Sequence, residues 1–145
     1  MKIISHRGNL NGPTSKLENT REHLWEAIKA GFDIEVDVWY LDGWYFGHDE
    51  NHLLPVSVHA LHGLDPWAWY HAKNVEALYY LRKIGATRFF FHQTDDVTIT
   101  SDGHFWTFAG KPITNRSIAC LPENAPNWDV SQAFGVCTDY PSKYI

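Results

Sequence analysis

The stretch Asp33-Ile34-Glu35-Val36-Asp37-Val38 decides how this chain is read. Ile34, Val36 and Val38 alternate strictly with Glu35 and Asp37, and a period of two marks a β-strand whose successive side chains point to opposite faces. Both carboxylates therefore share one face. The wet side of an antiparallel strand would explain that pattern, but a strand inside a parallel sheet is covered on both faces, and two inward carboxylates then need a compensating charge. A hard divalent cation with oxygen ligands, Mg²⁺ or Ca²⁺, supplies it and is the favoured reading.

The surroundings argue for the parallel case. Upstream, Lys2–Ser5 is a short apolar strand running into His6-Arg7-Gly8, followed by a polar loop, Asn9–Lys16, that contains Gly12-Pro13. Leu17–Ala30 reads as a helix with Leu24, Ala27 and Ile28 on its apolar face and Gly31 as its stop. Downstream, Asp42-Gly43 between Trp39–Leu41 and Trp44–Phe46 predicts a hairpin. Leu53–Leu64 is ambiguous and has room for a short helix. Trp67–Ala72 is a strand, Val75–Ile84 a helix and Arg88–His92 a strand. Val97–Thr100 and His104–Phe108 flank Ser101-Asp102-Gly103 as a second hairpin, and Ser117–Leu121 and Gly135–Thr138 are further strands.

Strand–helix alternation predicts βαβ units and a mostly parallel sheet. Eight such units take about 250 residues, and this chain has 145. The expected fold is therefore α/β: a reduced or incomplete TIM-type (β/α) barrel, one domain over residues 1–145, with hairpins replacing some helices.

Composition narrows the function. The net charge is -5 with no dense Lys/Arg run, so the basic stripe of a nucleic-acid binder is missing. Seven tryptophans suit a packed domain. Cys120 and Cys137 lie in apolar runs and read as free thiols. No apolar run is long enough for a membrane span, and the chain begins directly in a strand, so a cytoplasmic location is expected.

Nearly every expected parallel strand ends in ionisable groups: His6-Arg7, Glu35 and Asp37, His71 and Lys73, His92, Glu123, Asp139. In parallel α/β folds these ends share one face, where ligands bind. His6 and His48 each stand beside a strand end and suit a proton-donating and proton-accepting pair near neutral pH. Arg7 adds a planar, permanent cation for phosphate oxygens.

Taken in order, His6-Arg7-Gly8, Glu18-Asn19-Thr20, Ala30-Gly31, Glu35-Val36-Asp37-Val38, Asp42-Gly43 and His48-Asp49 resemble the signature of the glycerophosphodiester phosphodiesterase family, within the phosphatidylinositol phospholipase C-like phosphodiesterases. The match covers about the first third of the chain. More weakly, Trp67–Lys73 is similar to the family's third strand and Val136–Pro141 to its last. The resemblance implies a metal-dependent phosphodiesterase of lipid metabolism acting on a small phosphodiester. His6 and His48 would be the acid/base pair, Glu35 and Asp37 metal ligands, Arg7 and Lys73 phosphoryl-binding groups, and Glu18 with Asn19 a brace for the site. It also implies a course in which a neighbouring substrate hydroxyl attacks phosphorus and water opens the resulting cyclic phosphate.

Two departures bear on that reading. The family's third strand carries Glu-x-Lys, whereas this chain has His71-Ala72-Lys73. Either His71 coordinates, moving preference toward Mn²⁺ or Zn²⁺, or the site is weakened, or Glu123 supplies the carboxylate from another strand. Only Glu50–Pro66 separates His48 from the third strand, where the family usually has a substantial insertion. These departures feed the alternative function, a catalytically weak module that binds a phosphorylated ligand or partner. Trp69 shares strand parity with His71 and Lys73, and either fills the core or lines the mouth. His92 either caps the Phe89–Phe91 run or touches substrate, and Asp139 either fixes a turn or touches ligand. Uncovered edges of an incomplete barrel predict a homo-oligomer.

Overall fold

A computed structural model describes all residues, Met1–Ile145. In chain order the strands are β1 (Lys2–His6), β2 (Asp33–Tyr40), β3 (Trp44–Phe46), β4 (Leu54–Val56), β5 (Ala68–Ala72), β6 (Phe89–Phe91), β7 (Val97–Ile99), β8 (Phe105–Thr107), β9 (Ser117–Cys120) and β10 (Gly135–Thr138). Three helices interrupt them: α1 (Arg21–Lys29), α2 (Val58–Leu64) and α3 (Val75–Lys83).

The ten strands form one mixed sheet in the order β4-β3-β2-β1-β10-β9-β8-β7, with β5 on the other side of β2 and β6 beyond β5. It curls into a half-barrel, which corrects the expected reduced TIM-type (β/α) barrel. After β6 the chain has no further α-helix. Residues 93–134 carry no amphipathic helical period, only a hairpin, one further short strand, a single 3-10 turn and coil broken by Pro112, Pro122 and Pro126. The β6 end meets the β7–β8 hairpin through Ser101, whose N–H donates to the Phe89 carbonyl at 2.8 Å, without a strand ladder.

The helices form where caps and apolar spacing coincide. Thr20 caps α1, accepting from the His23 N–H, so the helix starts later than Leu17; Ser57 caps α2 and Asn74 caps α3. On the convex side Leu24, Ala27, Ala77 and Leu81 pack against Ile34, Val36, Val38, Ala68, Tyr70 and Ala72. The concave side is filled by Ile4, Trp69, Phe90, Trp106, Ile118 and Cys137. Because β2 has aliphatic residues on the convex face, Glu35 and Asp37 must point into the concavity. The Asp42-Gly43 hairpin forms with Tyr40 opposite Trp44. No helix is long and apolar enough to cross a membrane.

Candidate active site

Register places the polar residues at one end of the concave face. His6 pairs with Glu35 across β1–β2, and Asp37 with His71 across β2–β5. These neighbours share a face, so Glu35, Asp37, His71 and His6 converge just above the apolar fill. One atom from each of Glu35, Asp37 and His71 lies within 4.8 Å of the others. Glu35 is 2% exposed and Asp37 0%. Glu35 Oε2 and Asp37 Oδ1 are buried without an aligned hydrogen bond. Orphaned carboxylate oxygens are costly in a protein interior, and a cation between them removes the cost. His71 Nδ1 stands 3.2 Å from Asp37 Oδ1 and 3.5 Å from Glu35 Oε1. The residues present therefore fit a divalent metal.

Without one, His71 itself supplies positive charge. Burial opposes its protonation, but the close carboxylates of Asp37 and Glu35 push its pKa up to about 9. Asp37 responds in the opposite sense: burial disfavours its charge, while His48, His71 and Arg7 hold its carboxyl well below the usual carboxylate range.

The loop after β1 carries Arg7, one of the two phosphate-binding candidates. Arg7 has φ 55° and Asn19 φ 62°, both left-handed and neither glycine. Gly8, at φ +88°, could not be replaced easily: an added Cβ would lie 3.0 Å from His23 backbone atoms. The strained turn is tied down by Arg7 N–H to the Glu35 carbonyl (3.1 Å) and Asn19 N–H to the Arg7 carbonyl (3.1 Å). Arg7 then spreads its guanidinium over three neighbours: Nε at 2.8 Å from Asp37 Oδ2, Nη1 at 3.2 Å from Glu18 Oε2, and Nη2 at 2.6 Å from His48 Nδ1. Asn19 grips Asp37 twice, donating Nδ2–H to Oδ2 (3.1 Å) and accepting from the Asp37 N–H (3.0 Å). Glu18 and Asn19 thus brace the site, and Asp37 Oδ2 is consumed by that brace while Oδ1 faces His71.

His6 is oriented from the far end of the chain. Its Nδ1 lies 2.7 Å from Asp139 Oδ1, leaving Nε2 facing Glu35 at 3.9 Å. Burial again opposes charge, but Asp139 and then Glu35 raise the His6 pKa to about 9. Asn9 completes this arm by donating to both Asp139 (2.8 Å) and Glu18 (2.9 Å). His48 sits on the loop after β3, more than half exposed, with its loop held by the Trp39 indole N–H to the Gly47 carbonyl at 2.8 Å. Arg7 can only donate, so His48 Nδ1 accepts and its ring hydrogen in the neutral form is on Nε2.

His6, Arg7, Glu35, His48, His71, Lys73 and His92 line one cleft of about 810 Å³, together with Trp39, Trp106 and Phe108. Lys73 Nζ is 4.0 Å from Asp37 Oδ1. A neighbouring cleft of about 710 Å³ shares Arg7 and His48 and adds Glu18, Asn19, Lys16 and His52. His92 reaches the site mainly through its backbone, its carbonyl accepting from His71 Nε2 at 2.8 Å, while its ring meets Asp95 at 3.2 Å. Burial, then the neighbouring His71, lowers the His92 pKa.

Two sequence-predicted site residues are not brought together with the rest. Trp69 is 1% exposed and its indole N–H donates to Asp33 Oδ2 at 3.0 Å, one layer below His71. It fills the concavity and does not line the mouth. Glu123 is engaged elsewhere: Oε2 accepts from the Thr138 hydroxyl at 3.0 Å and Oε1 from the Asp139 N–H at 2.8 Å. It fastens the end of β10, so the third position beside Glu35 and Asp37 falls to His71. Asn9 and Asp139 are the residues sequence reasoning undervalued; Asp139 follows the end of β10, whereas Asn9 lies in the loop after β1 with no signal of its own.

No family model matches the chain, and no curated protein or solved structure matches it.

Proposed function

We propose that this chain is a divalent-metal phosphodiesterase of the glycerophosphodiester phosphodiesterase type, hydrolysing a small phosphodiester. One observation carries the reading: two buried carboxylate oxygens without an aligned hydrogen bond and an imidazole nitrogen converge beside the cleft that presents His6, His48 and Arg7. Glu35, Asp37 and His71 would hold the metal, which when bound would stabilise negative charge on the phosphoryl oxygens and lower the pKa of a coordinated hydroxyl. Arg7 and Lys73 would take the remaining phosphoryl oxygens, a role suited to a fixed guanidinium and a point charge. His6, held by Asp139 with its pKa near 9, carries a proton at neutral pH and would give it to the departing oxygen. His48, the other imidazole of the pair and in the same cleft, would take the attacking hydroxyl's proton.

The test is turnover of bis(p-nitrophenyl) phosphate and glycerophosphocholine with added divalent metals, comparing wild type with His6→Ala, His48→Ala and Glu35→Gln. Metal-dependent turnover lost in all three variants supports the reading. Activity surviving His6→Ala removes the acid/base assignment. A second reading, a module that binds a phosphorylated ligand without turning it over, is favoured by the ion contacts of His71, since an imidazolium there offsets the carboxylates without a metal. Inactivity with every metal, alongside retained phosphodiester binding, would select it.

Two free thiols, Cys120 and Cys137, suit a reducing compartment and support a cytoplasmic location. We also propose self-association through β7, at the end of the sheet, where Val97 is 51% and Ile99 63% exposed. A monomer by light scattering would reject that proposal.

A further inference from the structure

Resting on the metal-site reading above, we infer that His71 makes this centre selective for a first-row transition dication of the Mn²⁺ or Zn²⁺ kind over Mg²⁺ and Ca²⁺. A backbone carbonyl can only accept, so the 2.8 Å contact between His71 Nε2 and the His92 carbonyl puts the ring hydrogen on Nε2. Nδ1 is then the atom turned to Asp37 at 3.2 Å and Glu35 at 3.5 Å. Metal-binding imidazoles are commonly fixed through just this kind of outer hydrogen bond to a carbonyl. Stacking on Phe90, with centroids 4.9 Å apart and planes 17° from parallel, holds the ring flat in that orientation. The nitrogen is aimed and supported.

The oxygens that would make a harder site are spent. Glu123 is bound to Thr138 and to the Asp139 backbone. Asp139 is held by His6 and Asn9. Asp37 Oδ2 belongs to Asn19 and Arg7. Mg²⁺ and Ca²⁺ favour oxygen-rich shells, whereas a mixed set of two carboxylates and an imidazole suits the borderline metals. Three protein ligands also leave positions open toward the cleft, as a metal that meets substrate requires.

The experiment is calorimetric titration of the metal-stripped full chain with Zn²⁺, Mn²⁺ and Mg²⁺, supported by the visible spectrum of the Co²⁺ form. Every N/O site prefers zinc to magnesium to some degree, so the decisive comparison is with His71→Glu, which restores an oxygen ligand. We expect that variant to lose at least about tenfold in Zn²⁺ affinity and to gain in Mg²⁺ affinity, with the Co²⁺ bands shifting. His71→Gln, of similar size, should lose Zn²⁺ without gaining Mg²⁺, and thermal unfolding of each variant reports that it folds. An unchanged zinc-to-magnesium ratio in folded His71→Glu would overturn the inference while leaving the metal site standing, provided Glu35→Gln still abolishes binding. Binding that survives Glu35→Gln and Asp37→Asn would overturn the site itself.

Discussion

Arg7 Nη2 stands 2.6 Å from His48 Nδ1, and this contact links the first strand's loop to the loop after the first hairpin. The same guanidinium reaches Asp37 at 2.8 Å, so one planar cation sets the spacing between the second imidazole and the proposed metal position. A phosphodiester entering the cleft would meet Arg7 with its geometry already fixed, which is the condition under which charge stabilisation is strongest.

Arg7→Lys keeps the charge and loses the fork. Lysine cannot face Asp37, Glu18 and His48 together. Turnover of bis(p-nitrophenyl) phosphate should fall by about 10²–10³-fold, the loss typical of removing one preorganised donor. A loss of less than a few-fold in steady-state assays would show that Arg7 does not touch the phosphoryl group.

Asp139→Asn should lower the His6 pKa, because Asp139 is the leading influence raising it against burial. The high-pH limb of the rate profile, where His6 loses its proton, should move toward acid by one unit or more. NMR titration of the His6 ring follows the same change without relying on activity. A limb that stays in place would assign it to another group.

Metal-free protein should lose stability as pH rises. His6 and His71 both have folded pKa values raised to about 9 from an ordinary 6.5. Between those values the folded chain binds more protons than the unfolded one, so the stabilisation is complete below about 6.5 and fades through about 9. The effect should be on the order of 2–3 kcal/mol for each ring, with the depressed pKa of Asp37 and of Asp139 counted as the same interactions. Urea unfolding at pH 6, 7.5 and 9 checks the slope, and stability rising over that range would contradict the ion contacts described.

Gly8→Ala should destabilise the fold. The added Cβ would lie 3.0 Å from His23 backbone atoms, and φ +88° is a conformation side chains avoid. The cost should be about 1–3 kcal/mol in chemical denaturation, with the larger proportional loss in activity because Arg7 is adjacent. A neutral effect on both would show that the turn adjusts freely.

How much of this was legible beforehand depends on the range of the signal. The alternation from Ile34 to Val38 is local, and it correctly turned Glu35 and Asp37 away from the helices. Asp42-Gly43 marked its hairpin for the same reason. Parity gives the face of a side chain but not its height on the sheet, and so it leaves Trp69 open between core and mouth; the ring lies a layer below His71, on Asp33. The contact between His6 and Asp139 spans 133 positions and has no local trace. Strand–helix alternation holds as far as β6 and stops there; the hairpin and coil that follow leave a half-barrel instead of a reduced (β/α) barrel.

The most direct test of the central claim is anomalous diffraction from a crystal soaked in Mn²⁺ with inorganic phosphate. The account predicts one strong peak among Glu35, Asp37 and His71, with phosphate oxygens beside Arg7. A crystal whose manganese sits elsewhere, with His71 still bridging the two carboxylates, would contradict it.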